Sequence, residues 1–194
     1  MVRGIGAAVL AAGIACAQPA AQQQQPERVE VSAKDSFNGQ SFAYMRLLRE
    51  RNHRHERYDV SYPSPEVTDF EPNNTVPAEL YLPLGMSRDR AFPAVVCMHI
   101  FHGSFDLERM LCARLAQNGV PALFFKQPYY AERGGAEGKA RLVSDAEVFV
   151  RGLEQGLKDA RRAVDIMQSL PEVDPARVGI TGVSMGAIQS ASVC

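Results

Sequence analysis

From Phe92 onward, apolar and polar positions fall into blocks whose period switches in a regular order. Ala94 to His99 (AVVCMH) is an almost continuous apolar run, the pattern of a strand buried on both faces in a parallel sheet. Asp106 to Asn118 then carries Leu107, Met110, Leu111 and Leu115 at helical spacing, which predicts an amphipathic helix closed by Gly119. Val120 to Phe125 (VPALFF) predicts a second buried strand. Beyond a loop at Gly134–Gly138, a stripe through Ala146, Val150, Leu153, Leu157, Ala160, Val164 and Met167 predicts a long helix that Pro171 ends. Ser144-Asp145-Ala146-Glu147 has the form of its capping box. Asp174-Pro175 turns the chain into a last apolar segment, Arg177 to Thr181. Strand, helix, strand, helix, strand is a βαβαβ unit with a parallel sheet.

The first third of the chain is patterned less clearly. Val76 to Pro83 predicts a strand, and Tyr58 to Tyr62 alternates like a short edge strand before Pro63-Ser64-Pro65. Residues 27–58 are polar and basic, and the run Arg49 to Arg57 reads as a solvated helical face. On such a helix His53 and His55 point to different sides, a poor arrangement for a shared metal. Gln18 to Pro26 (QPAAQQQQP) is low in complexity and reads as a flexible linker. Arg3, the uncharged Ile5–Ala17 stretch and the Ala15-Cys16-Ala17 site predict a signal peptide, residues 1–17, and hence an exported protein, periplasmic or secreted. A buried N-terminal helix, or a lipid on Cys16, are the alternatives. The apolar stretch is shorter than the ~20 residues a bilayer needs, so no stable membrane insertion is expected after cleavage. The expected organisation is signal peptide 1–17, linker 18–26, polar N-terminal extension 27–75 and an α/β domain, incomplete at its C-terminus, over 76–194.

Composition narrows the partners. Hydrophobic residues at 46% and charged residues at 22% suit a globular protein with a buried core. A formal net charge of −1 offers no electrostatic reason to bind nucleic acid or an anionic membrane. Cys97 falls in an apolar strand and Cys112 on a helix. Export would permit a disulfide between them, but two small buried hydrophobes is the simpler reading.

The candidate chemistry lies at Gly182-Val183-Ser184-Met185-Gly186, a G-x-S-x-G run placed directly after the last apolar segment. A strand, a sharp turn and a helix start are the context a nucleophile elbow needs, because the turn lifts the serine oxygen above the sheet edge. No G-x-G-x-x-G or P-loop pattern is present, which leaves a nucleotide-binding reading weak.

With that order of elements, the chain resembles the first half of an α/β-hydrolase-fold enzyme, over about residues 76–194. The resemblance rests on Met98-His99 running into Ile100-Phe101-His102-Gly103, on Pro128-Tyr129-Tyr130, and on Asp174 to Gly186. It is similar to the branch of dienelactone-hydrolase-like proteins, acetyl esterases and prolyl-oligopeptidase-type peptidases. The resemblance implies an α/β fold with a mostly parallel sheet flanked by helices, cut off after the nucleophile elbow. It implies a serine hydrolase of carboxylic esters that works through an acyl-enzyme on Ser184, with a small-molecule ester as partner and without metal or organic cofactor. The backbone N–H groups of Met185 and Phe101 would form the oxyanion hole, while His102, Tyr129 and Tyr130 would line the pocket. Chain order in this fold is Ser, then Asp or Glu, then His. Both triad partners are therefore expected beyond Cys194, and His99 is expected to steady its loop. Asp145, Asp159, Asp165 and Asp174 read as helix caps, helix-surface charges and a turn residue. A peptidase of the prolyl-oligopeptidase kind, or a non-catalytic hydrolase-fold fragment, are the alternatives.

Overall fold

The computed structural model describes residues 25–101 and 104–193, so the predicted signal peptide, the linker up to residue 24, and His102 lie outside the described residues. Along the chain run β1 (Glu27–Val31), β2 (Phe42–Arg51), β3 (His55–Pro63), β4 (Thr75–Pro83), β5 (Phe92–Met98), α1 (Asp106–Gln117) and β6 (Ala122–Phe125). They are followed by α2 (Gly138–Ser144), α3 (Ala146–Gln168), β7 (Val173–Gly182) and α4 (Met185–Val193). The strands form one sheet in the order β1-β2-β3-β4-β6-β5-β7. No helix of the described residues is long and apolar enough to cross a membrane.

The expected βαβαβ unit is present, with β5 pairing in parallel with both β6 and β7. The sheet as a whole, however, is largely antiparallel and not mostly parallel. β1–β2, β2–β3, β3–β4 and β4–β6 are all antiparallel pairings. The difference arises in residues 27–63, where the polar stretch forms three strands. The charged run Arg49 to Arg57 is a hairpin and not a helical face. Asn52 makes the turn: its Oδ1 accepts from the N–H groups of Arg54 (2.9 Å) and His55 (3.0 Å). The charges that suggested a solvated helix sit beside one another as ion pairs on the hairpin, Arg51 with Glu56, Arg49 with Asp59 (2.6 Å) and Arg57 with Asp59 (3.0 Å). β3 lies between β2 and β4, so it is an interior strand and not an edge, and it buries Val60 and Tyr62.

Two apolar layers flank the sheet. On one face Leu80, Val96, Leu123 and Phe125 pack against Ala160, Ala163, Ile166 and Met167 of α3. On the other, Tyr81, Cys97 and Phe124 pack against Cys112 and Ala116 of α1. Alternation along β6 sends Phe124 to one layer and its neighbours to the other, which is why an unbroken apolar run was required there. Cys97 and Cys112 are free, buried thiols.

Each helix turns part of its expected stripe to the sheet, Leu111 and Leu115 on α1 and Ala160, Val164 and Met167 on α3, and is rotated so that polar side chains share the buried face. α1 buries Glu108, Cys112 and Ala116 and exposes Leu107 and Met110. α3 leaves Val150 exposed and buries Gln155 and Asp159. In each case a buried polar side chain has a specific partner that outweighs a few apolar contacts. The long helix is capped by Asp145, whose Oδ1 accepts from Glu147 N–H at 2.6 Å, while Ser144 closes the separate helix α2.

Candidate active site

β7 delivers the G-x-S-x-G segment to the C-terminal end of the parallel strands, where Gly182 pairs with Met98 of β5. The chain then reverses within two residues and enters α4. Ser184 holds φ of 53°, in the left-handed region that costs a non-glycine residue about 1–2 kcal/mol. Its carbonyl starts the helix, accepting from Ala187 N–H (3.0 Å) and Ile188 N–H (3.1 Å). The two glycines are required by space. A Cβ on Gly182 would stand 2.4 Å from the Gly186 carbonyl carbon, and one on Gly186 would stand 2.4 Å from the Met98 oxygen. Only hydrogen at both positions lets helix, strand and turn approach closely enough to present Ser184, which is exposed. Met185 opens α4, where the first amides of a helix lack intrahelical acceptors and carry the positive end of the dipole.

Beside the elbow, the loop after β5 is held from below by His99, which is fully buried. The N–H of Gln127 donates to His99 Nε2 at 2.9 Å, so that nitrogen is the unprotonated one. Nδ1 then carries the proton and donates to the Ile100 carbonyl at 2.7 Å. Burial pushes the His99 pKa down to about 4, against the opposing pull of the Ile100 carbonyl, which favours the charged ring. Its ring meets Phe105 (5.0 Å) and Tyr130 (4.6 Å) edge to face. Ile100 N–H donates to Glu108 Oε1 at 3.2 Å, and Gln127 Nε2 donates to the His99 carbonyl at 3.1 Å. His99 therefore steadies the loop and has neither nitrogen available for proton transfer.

Tyr129 and Tyr130 sit just past β6, as expected for residues at a strand's C-terminal end. Tyr129 takes φ of 68° and donates its N–H to Asn73 Oδ1 at 2.8 Å. The Tyr130 hydroxyl donates to the carbonyl of Phe101, which joins this loop to the one after β5. Both tyrosines border a cavity of about 330 Å³ with Phe105 and Lys139, and the Lys139 ammonium lies 5.6 Å from the Tyr130 ring centroid. The expected site residues Phe101, Tyr129 and Tyr130 are thus linked, and Ser184 and Met185 share with them the end of β5.

A buried polar group supports this end of the sheet, and the Leu and Val pattern of α3 did not reveal it. Asp159, expected on the helix surface, is fully buried against Arg133 at 2.7 Å. Ser64 Oγ donates to Asp159 Oδ1 at 2.7 Å, and Arg133 also donates to the carbonyls of Lys126 (2.9 Å) and Asn73. Burial pushes the Asp159 carboxyl above its ordinary range, with Arg133 beside it pulling the other way. The available signal was Gln155 and Asp159 four residues apart on the same helix face as Gly152 and Gly156. Asp165 is also buried, accepting from Phe37 N–H, whereas Asp174 caps its turn and pairs with Arg177 at 2.7 Å. Among the described residues no group of three or more His, Cys, Asp or Glu is placed to hold a metal ion.

Comparison with known proteins agrees with this architecture. The family model described as "Dienelactone hydrolase family" matches residues 81–193. An uncharacterized protein of Pseudomonas aeruginosa is 32% identical over 110 residues, which cover 56% of this chain and 27% of that protein. The solved acetyl xylan esterase of a Paenibacillus species superposes with a TM-score of 0.59 at 21% identity, covering 84% of this chain and 53% of that one. Acetyl xylan esterase 1 of a Thermoanaerobacterium species gives 0.56 at 17% identity, covering 83% and 52%. These likenesses are of fold. The chain spans about half the length of these solved structures and about a quarter of the Pseudomonas protein.

Proposed function

Because the chain belongs to the dienelactone hydrolase family, we propose that it is a serine hydrolase of carboxylic esters with Ser184 as its nucleophile. The observation that carries the reading is the strained left-handed conformation of Ser184 between two glycines that admit no Cβ. Strain of this kind persists where the surrounding structure enforces it, and here it raises a hydroxyl above the sheet edge. Ser184 Oγ attacks the ester carbonyl and forms a tetrahedral intermediate, whose oxyanion is met by the N–H groups of Met185 and Phe101. Collapse expels the alcohol and leaves an acyl-enzyme, which water then cleaves. The base that takes the serine proton is not His99, whose ring nitrogens are both engaged. In the chain order of the α/β-hydrolase fold, the acid and then the histidine base follow the nucleophile. Tyr129 and Tyr130 border the acyl or alcohol pocket. The names of the acetyl xylan esterases it resembles in fold make short acetyl esters the first substrates to assay.

The test is covalent. The protein produced from its gene is treated with a fluorophosphonate probe, digested and read by mass spectrometry, and hydrolysis of p-nitrophenyl acetate is followed alongside. Labelling of Ser184, with label and hydrolysis both lost in Ser184→Ala, is the expected result. Label on another residue, or hydrolysis untouched by Ser184→Ala, overturns the proposal.

A further inference from the structure

We infer that His99 and Tyr130 are positioning residues that aim the Phe101 amide at the oxyanion, each by holding one of two successive backbone carbonyls. The inference rests on the ester-hydrolase reading above and assigns to that site two side chains that touch no reacting atom.

The geometry follows from peptide planarity. In a trans peptide the C=O and the following N–H point in opposite directions. The Ile100 carbonyl is bound by His99 Nδ1 at 2.7 Å, and His99 is fully buried beneath the loop. That carbonyl is therefore drawn towards the interior, and the N–H of Phe101 on the same plane is turned away from it. The Phe101 carbonyl, on the next plane, is bound by the Tyr130 hydroxyl. The two clamps support each other, with ring centroids 4.6 Å apart and edge to face. His99 is itself locked by Gln127, whose N–H donates to Nε2 and whose side chain donates to the His99 carbonyl at 3.1 Å. Ile100 N–H is tied to Glu108 at 3.2 Å. Three elements, β5, α1 and the loop after β6, thus converge on one backbone segment. The same segment needs a fixed donor direction if it is to stabilise charge without reorganising.

Loss of a whole oxyanion donor lowers kcat by about 10²–10³-fold, so a donor left in place but released from its clamp should cost about tenfold. The experiment compares wild type, Tyr130→Phe, His99→Asn and His99→Leu on p-nitrophenyl acetate. It also measures inhibition by a short-chain alkyl trifluoromethyl ketone, which forms an oxyanion only when bound as the serine adduct. The expected result for Tyr130→Phe is a kcat about tenfold lower with KM within about twofold, and ketone affinity reduced by the same factor as kcat, as interactions made only in the transition state require. Asn can present a donor where Nδ1 stood, so His99→Asn should retain more kcat and more ketone affinity than His99→Leu. A general structural role would instead reduce the fraction of titratable sites and leave the ratio of ketone affinity to KM unchanged. The inference is overturned if Tyr130→Phe keeps kcat and ketone affinity within twofold, or if KM rises as much as kcat falls. Should the His99 variants fail to fold, Tyr130→Phe, which removes one oxygen, decides alone. A wild-type protein without Ser184-dependent hydrolysis defeats the ester-hydrolase reading itself. Active wild type with an unaffected Tyr130→Phe defeats only the positioning role.

Discussion

Arg133 and Asp159, both without solvent exposure, are joined Nη1 to Oδ2 at 2.7 Å, and that bond fixes the loop after β6 to the middle of α3. The loop carries Tyr129 and Tyr130, and the same guanidinium holds the carbonyls of Lys126 and Asn73. Asn73 in turn accepts from the Tyr129 N–H, so the buried pair is two steps from the cavity wall.

Removing one member of a buried pair leaves the other charge without compensation, which costs about 3–5 kcal/mol. Arg133→Met is expected to lose stability of that order in urea unfolding, with the midpoint shifted. Lys158→Met, which breaks the more exposed pair with Glu66, is expected to lose less than about 1 kcal/mol. Equal losses in the two variants would show that the Arg133–Asp159 pair contributes no more than a surface contact.

Ser184 is held in a conformation that glycine adopts without penalty. Ser184→Gly is therefore expected to be more stable than Ser184→Ala by about 1 kcal/mol, after the added chain entropy of glycine in the unfolded state offsets part of the relief. Neither variant should react with the fluorophosphonate probe. Urea midpoints of the pair decide it, and an alanine variant as stable as the glycine one would show that the turn stores no strain.

His99 sets a pH dependence whose sign can be worked out. Its native pKa lies at about 4, below the value of about 6.5 in an unfolded chain. Between these values the unfolded state binds a proton that the native state does not, so stability falls as pH drops from about 6.5 towards 4. The full difference is about 3 kcal/mol, and above pH 6.5 the residue adds no slope. In His99→Asn this component should vanish, leaving a flatter profile over the same window. Parallel stability profiles for the two proteins would mean that His99 titrates normally in the fold.

Much of the second half was legible because its signals are local. The period of Ala94–His99 and Val120–Phe125, the capping acid before the long helix, and the glycines around Ser184 each act within a few residues. The elbow is the clearest case, since Gly182 is excluded from carrying a side chain by Gly186, four residues away. What was not legible follows from a pattern that two local structures share or from pairing between distant elements. Arg49 to Arg57 carries a charge pattern that a helix and a hairpin satisfy equally well, and the Asn52 turn with its ion pairs chose the hairpin.

By itself the sequence determined a βαβαβ unit ending in a strained serine turn, because hydrophobic period and backbone sterics are properties of neighbouring residues. The tertiary structure decided the rest. It added the antiparallel strands β1–β3, rotated α1 and α3 so that Glu108, Gln155 and Asp159 face inward, and brought His99, Tyr130 and Phe101 together. The physical reason is that a buried polar group is stable only with its partner, and those partners are supplied by segments up to 128 residues away.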